Sequence, residues 1–306
     1  MRVSSLLSAI TRKAWFIRES DALAQDVIIA KLLGGEYSVE AFSKIYSDSN
    51  PLKVLLDNGH KVAASSSSFN DAPAGSTAII QLQGTMLKYG TWCSYGTTEI
   101  ADAITEAANS PKINSIVIDA DSGGGAVDAI APIFDAIICA QKCGKPVVAC
   151  VDLMASACVY ALLPCDQIIA GNNISCEVGS IGVMMQFQDM IPYLKEQGII
   201  THSIYSSLSD YKNRPYELAK EGKYDEIISE ELDPLARQFQ NAVKQYRPGL
   251  DQSVPGILAG KMFYADQAKQ YGLIDQVGSL DMAIAQAQDL ANGGKYLINN
   301  YVQSKS

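Results

Sequence analysis

The 306-residue chain is 48% apolar and 19% charged, an ordinary composition for a globular protein and enough length for one large domain or two small ones. Its 33 acidic against 24 basic residues leave a net charge of -9 and an isoelectric point near 4.8, and no lysine- or arginine-rich run occurs, which argues against a binder of nucleic-acid backbone. No window reaches the roughly 18 uninterrupted apolar residues of a membrane span, and the N-terminal stretch is broken by Arg12 and Lys13 without a small-residue cleavage site, so the chain reads as cytoplasmic.

Residues 1 to about 47 carry apolar positions at helical spacing, as in Leu6, Leu7, Ile10 and then Leu23, Val27, Ile28 and Leu32, with a short helix predicted from Val39 to Tyr46. These helices have no partner in their own segment and read as an arm that packs on the main domain or on a second subunit. Between Asp57 and Gly75 a tract of Asn58, Gly59, Ser65 to Ser68 and Pro73 reads as a flexible linker, which would position its one histidine, His60, poorly for chemistry.

The core begins with a strand from Thr77 to Leu82, closed by Gly84, and an amphipathic helix from Thr98 to Ala108 with Ile100, Ala103, Ile104 and Ala107 on one side. A strand from Ile113 to Ala120 runs directly into Asp121-Ser122-Gly123-Gly124-Gly125-Ala126-Val127, and a helix through Ile130, Ile133, Phe134 and Ile137 follows. Three consecutive glycines at a strand-to-helix turn leave backbone amides open to a ligand oxygen. The spacing of a phosphate cradle is absent, so an amide cradle for a carbonyl oxygen fits better than a nucleotide site, and a plain tight turn fits as well.

Val147 to Val151 forms the next buried strand, ending at Asp152, and Met154-Ala155-Ser156-Ala157-Cys158 leads into a short helix that Pro164 stops. Ser156 therefore stands between strand and helix, where free helix amides stabilise an oxygen gaining negative charge. The same position suits a serine that only caps the helix. Strands are predicted at Gln167 to Ala170, Val183 to Phe187 and Ile199 to Tyr205, and helices at Asp189 to Gln197, Asp225 to Tyr246, Ala265 to Tyr271 and Ala283 to Leu290. Alternating strands and helices imply right-handed crossovers and a largely parallel sheet, with working loops at the strand C-terminal ends, where both the glycine turn and Ser156 fall.

Seven cysteines, an odd number without a C-x-x-C pair, fit reduced buried thiols better than a disulfide frame. Cys139 and Cys143 have no second ligand pair to make a zinc site with, and no cofactor or metal is implied.

Four motifs in order resemble those of the signal peptide peptidase A family of serine peptidases, related to the Clp protease and crotonase folds. Ile118 through Val127 is similar to the family's strand and S-P-G-G-x-V turn, with Gly123 at the proline. Met154 through Ala161 is similar to A-A-S-G-G-Y-Y-x-A, with Ala157 and Cys158 at the two glycines. Gly179-Ser180-Ile181-Gly182-Val183 is identical to G-S-I-G-V. Lys261 through Gly278 is similar to the family's closing motif. Among its members the phage and prophage head-maturation proteases of the lambda protein C type are the closer likeness, through the N-terminal arm and a lysine shortly before Asn213-Arg214-Pro215-Tyr216.

The resemblance implies an α/β fold of the Clp protease/crotonase type, with repeated β-β-α units and a mostly parallel sheet over residues 77–290. An N-terminal helical arm (1–56), a linker (57–76) and a C-terminal tail (291–306) would flank it. It implies an ATP-independent serine endopeptidase that processes capsid or scaffold proteins and assembles into a homo-oligomeric ring in the host cytoplasm or the prohead. With two histidines, one of them on the linker, a Ser-His-Asp triad has little material, and a Ser-Lys dyad is the better expectation: Ser156 as nucleophile and Lys212 as base. Ser180 would orient the ammonium, and the amides of Gly124 or Gly125 and of Ala157 would hold the oxyanion. A gapless alignment of Ser206-Ser207 puts Asp210 at the basic position, and a shift of two residues puts Lys212 there; Lys220 and Lys261 are poorer substitutes. A catalytically silent scaffolding relative and an acyl-CoA enzyme of the crotonase type, with an acid such as Glu177, are the competing readings.

Overall fold

Four apolar, β-branched runs form the centre of one sheet: β4 (Ser76–Gln83), β5 (Ile113–Ser122), β7 (Val147–Ala155) and β8 (Gln167–Ala170). The computed structural model describes residues 15–17, 52–55, 61–62, 69, 72–90, 95–187, 189 and 191–303. β4, β5, β7 and β8 pair in parallel in that order. Their side chains alternate between two dry layers, because neighbouring residues of a strand point to opposite faces. On one face Ile80, Ile116, Ile118, Val147, Ala149 and Val151 meet the crossover helices α1 (Thr97–Asn109) and α2 (Ile130–Lys142). On the other, Ile79, Val117, Val148, Cys150 and Ile169 pack with Ala283 and Ala287 of α8 (Leu280–Gln303).

The edges are short. On one side β2 (Leu52–Leu55) lies antiparallel to β4, and β3 (Lys61–Val62) antiparallel to β2. On the other side β7 forks. Its residues 148–151 pair with β8, which carries β11 (Gln276–Val277), while Leu153 to Ala155 pair with β9 (Glu177–Gly179), which carries β10 (Met262–Tyr264). A separate two-stranded ribbon joins β6 (Gly124–Ala126) to β1 (Trp15–Ile17). The remaining helices are α3 (Ala157–Leu162), α4 (Ile191–Glu196), α5 (Arg214–Lys220), α6 (Asp233–Tyr246) and α7 (Ala265–Gln270).

The mostly parallel α/β architecture agrees with the sequence expectation, and several elements differ. Helical spacing over residues 1–47 gives way at Trp15–Ile17 to a strand, because the free edge of β6 supplies a tertiary partner that outweighs local periodicity. β2 falls inside the expected helical arm and β3 inside the expected linker, both recruited by the edge of β4; the expected helix from Val39 to Tyr46 lies outside the described residues. Neither Val183 to Phe187 nor Ile199 to Tyr205 is a strand. The second run is exposed along its length, and no edge within the described residues receives it. The predicted helix from Asp225 to Tyr246 is a helical turn, a π-helical stretch (Ile228–Leu232) and α6 in succession.

Candidate active site

β7 continues to Ala155, three residues past the expected end, so Ser156 follows the strand directly and caps α3. Its backbone stands at φ 55°, ψ -114°, a region that L-residues with a side chain rarely adopt, at a cost of about 1–3 kcal/mol. The turn is held from both sides. The Ser156 N–H donates to the Gly179 carbonyl (2.9 Å), and the Ser156 carbonyl accepts from the Tyr160 N–H (3.2 Å). Ala155, Ala157, Cys158, Val159, Ala161 and Leu162 are buried around it, and Tyr160 stacks on Phe239 of α6 with ring centroids 5.0 Å apart. A serine held in a strained turn between strand and helix is the arrangement that exposes a nucleophilic hydroxyl to a reacting carbon. The Ser156 hydroxyl donates to the Gly182 carbonyl at 3.4 Å, long for an O–H···O bond, so its proton is lightly held.

The G-S-I-G-V loop thus touches Ser156 through two carbonyls, those of Gly179 and Gly182. Ser180, also at positive φ (54°), donates its N–H to the Lys261 carbonyl (3.1 Å), while its half-buried hydroxyl has no hydrogen bond among the described residues. A side chain on Gly179 would collide with the Lys261 backbone, so glycine is required where β9 meets β10.

The two candidate glycines have different duties. The Gly124 N–H is bound to the Ser122 hydroxyl (3.2 Å), which itself donates to the Gly84 carbonyl (2.6 Å). The Gly124 carbonyl accepts from the Met86 N–H (2.8 Å), and the Ala126 N–H donates to the Met86 carbonyl (2.9 Å). Backbone groups alternate along a strand, so the N–H and C=O of Gly125 point to the opposite edge of β6. Gly125 is therefore the amide of the pair that is turned outward. A Cβ there would collide with the Met86 carbonyl oxygen and stand 2.7 Å from the Met86 nitrogen and carbonyl carbon.

Lys212 lies in an exposed turn before α5, with its N–H on the Ser209 carbonyl (3.1 Å), and its ammonium has no hydrogen bond or ion pair among the described residues. No contact joins it to Ser156 within the chain. Lys220, in contrast, is paired with Glu217 at 2.5 Å, a hydrogen bond that raises its pKa and keeps it charged, and the Lys261 ammonium sits 5.3 Å from the centre of the Phe263 ring. His202 is exposed, and His60 lies outside the described residues. Glu177 is half-buried in β9 opposite Tyr264. Cys158, at a position where the resembling family has glycine, is buried in α3, and burial, with the charge of Asp121, pushes its thiol pKa far up. No cluster of metal-ligating side chains exists among the described residues.

The strained serine elbow and its contacts with the G-S-I-G-V loop stand together at the C-terminal end of β7. Peptidase family S49 matches residues 139–293, just over half of the chain, and the chain belongs to that family. The match takes in Ser156, Ser180 and Lys212 and begins after the glycine turn. Protease 4 of Salmonella typhi is 27% identical over 229 residues, 74% of this chain and 36% of that protein. Capsid assembly protease C of Escherichia phage lambda is 26% identical over 208 residues, 65% of this chain and 45% of that protein. The chain thus spans about a third of Protease 4 and less than half of protease C. A solved structure of a membrane-bound stomatin-specific protease is similar at a TM-score of 0.44 and 16% identity, over 67% of this chain and 80% of that one. Among the described residues no helix is long and apolar enough to cross a membrane.

Proposed function

We propose that the chain is an ATP-independent serine endopeptidase in which Ser156 is the nucleophile and Lys212 the general base. The strained backbone of Ser156, placed where strand hands over to helix, is the observation that carries this reading, and membership of Peptidase family S49 supports it over an acyl-CoA enzyme. The neutral Lys212 amine takes the Ser156 proton as Oγ attacks the peptide carbonyl, and the ammonium then protonates the leaving amine. Water, activated by the same amine, releases the acyl group. The amides of Gly125 and Ala157 receive the oxyanion, at about 3 kcal/mol per donor. Ser180 orients the lysine.

A lysine becomes a base when its ammonium is moved out of water, and Lys212 is exposed in the single chain. We infer that a second copy supplies the enclosure. Ile199, Ile200, Ile204, Leu208 and Tyr211, on the segment leading to Lys212, are exposed large apolar side chains, and such a cluster marks a contact surface. The reading is a homo-oligomer that carries Lys212 to Ser156 of the same or an adjacent subunit. The likeness to capsid assembly protease C supports capsid or scaffold proteins as substrates, with the prohead or the host cytoplasm as the place of action.

Wild type, Ser156→Ala and Lys212→Ala are compared for casein hydrolysis and self-cleavage by mass, and for cleavage of a phage scaffold protein. Activity in the wild type alone, rising with pH because the amine must lose its proton, is the expected result. Equal hydrolysis by all three would eliminate the dyad. Silence of all three, with assembly intact, would favour the scaffolding role, and casein hydrolysis without cleavage of the scaffold protein would remove the capsid role.

A further inference from the structure

The outward edge of β6 is occupied. β1 lies antiparallel along it with Trp15 opposite Ala126, Phe16 opposite Gly125 and Ile17 opposite Gly124. Gly125 turns its N–H and C=O toward this edge, so Phe16 stands where an extended peptide would exchange both backbone hydrogen bonds with it. β1 runs toward Gly124 and the end of β5, and Ser122 of β5 pairs with Met154 of β7, two residues before the nucleophile. It also passes beside α3, the helix that Ser156 caps. In this arrangement Ser156 is only 1% exposed.

We propose that β6 is a peptide-docking edge and that residues 15–17 of the chain occupy it as an intramolecular competitor for substrate. The inference rests on the peptidase reading for what the edge would otherwise hold. Addition of a strand to a free sheet edge is a general mode of peptide recognition, in which main-chain hydrogen bonds supply affinity. Trp15-Phe16-Ile17 is a run of strand-forming residues between Lys13 and Arg18, so it meets that demand from its sequence. The ribbon has three residue pairs and, among the described residues, no third strand, and a ribbon so short is marginal by itself, which makes it displaceable. A tethered segment held at about 1 mM effective concentration, whose free peptide binds at about 0.1 mM, weakens substrate binding about tenfold.

Phe16→Pro removes the N–H opposite Gly125 and releases the edge. The probe is a fluorescein-labelled peptide of residues 11–20, and binding is read by fluorescence anisotropy on full-length protein in a Ser156→Ala background, with and without Phe16→Pro. The expected result is about tenfold tighter binding to the double variant, with faster hydrogen exchange at the Gly125 amide and an unchanged melting temperature. With Ser156 restored, Phe16→Pro lowers KM for an extended peptide about tenfold and leaves kcat unchanged. Equal affinity of the two proteins for the probe would overturn the proposal, whether or not they cleave casein. Unequal affinity with no hydrolysis by any form would overturn the peptidase reading and leave the occupied edge standing.

Discussion

Gly125→Ala tests the site where fold and chemistry share one atom pair. The new Cβ would stand inside contact distance of the Met86 carbonyl oxygen and 2.7 Å from two further Met86 backbone atoms, and none of these is the end of a flexible side chain. Ordinary contact demands a relative shift on the order of 1 Å, and a misplacement of that size costs about a hundredfold in rate. The shift also strains the Met86–Gly124 and Ala126–Met86 hydrogen bonds, at about 1 kcal/mol each. In the proposed mechanism the outward amide of Gly125 is an oxyanion donor, and its displacement would by itself lower kcat about 10²–10³-fold. The assay pairs hydrolysis of an extended fluorogenic peptide with thermal unfolding. A kcat at least a hundredfold down, a raised KM because the same backbone would dock the peptide, and about 2 kcal/mol of lost stability are expected. Wild-type kcat within threefold, in a folded protein, would refute the assignment of Gly125.

Ser156→Gly and Ser156→Ala both abolish hydrolysis, but glycine tolerates φ 55°, ψ -114° while alanine does not, so the glycine variant unfolds about 1 kcal/mol later in a denaturant titration. Ile204→Asp combined with Leu208→Glu leaves the monomer's stability within about 0.5 kcal/mol, since both side chains are over 90% exposed, while light scattering shows dissociation and hydrolysis is lost. A wild-type monomer at working concentration would refute the assembly. Burial, aided by the charges of Asp119 and Asp152, pushes the Cys150 thiol up to about 12, and burial beside Asp152 does the same for Cys176. Both prefer to stay protonated in the fold, so their contribution to stability is complete below the unfolded thiol pKa near 9 and is lost as pH climbs from there through about 12; a urea midpoint that rises between pH 9 and 11 would contradict this. At pH 8, mass mapping of alkylation finds the exposed Cys139 and Cys143 modified, and Cys150, Cys158, Cys165 and Cys176 unmodified until the chain unfolds.

The central strands were legible because their β-branched runs are buried on both faces, which gives apolar residues at every position rather than at alternate ones. Ser156 was legible too, since small residues between an apolar strand and an apolar helix leave few other geometries. β6, β9, β10 and β11 are two or three residues long, and no period can be read from so short a span. Ile199 to Tyr205 has a strand's composition without a strand's neighbour, and its apolar content belongs to a surface. β1 is the reverse case, a helical pattern drawn into a ribbon by an edge more than a hundred residues away in sequence. The respective duties of Gly124 and Gly125 were beyond reach, because identical residues differ there by their backbone conformation and by which way their amides turn. For Lys212 the sequence supplies a residue and a loop, and its side chain is exposed, with no hydrogen bond or ion pair among the described residues to give it a position.

The division of β7 gives the molecule two separable responsibilities on a single strand. Its first half pairs with β8, which carries β11, inside the packed layers, so alterations there register as lost folding. Its last three residues pair with β9, which carries β10 and whose Gly179 carbonyl accepts from the Ser156 N–H, so alterations there reach the serine's backbone as well as the core in which Met154 and Val178 are buried.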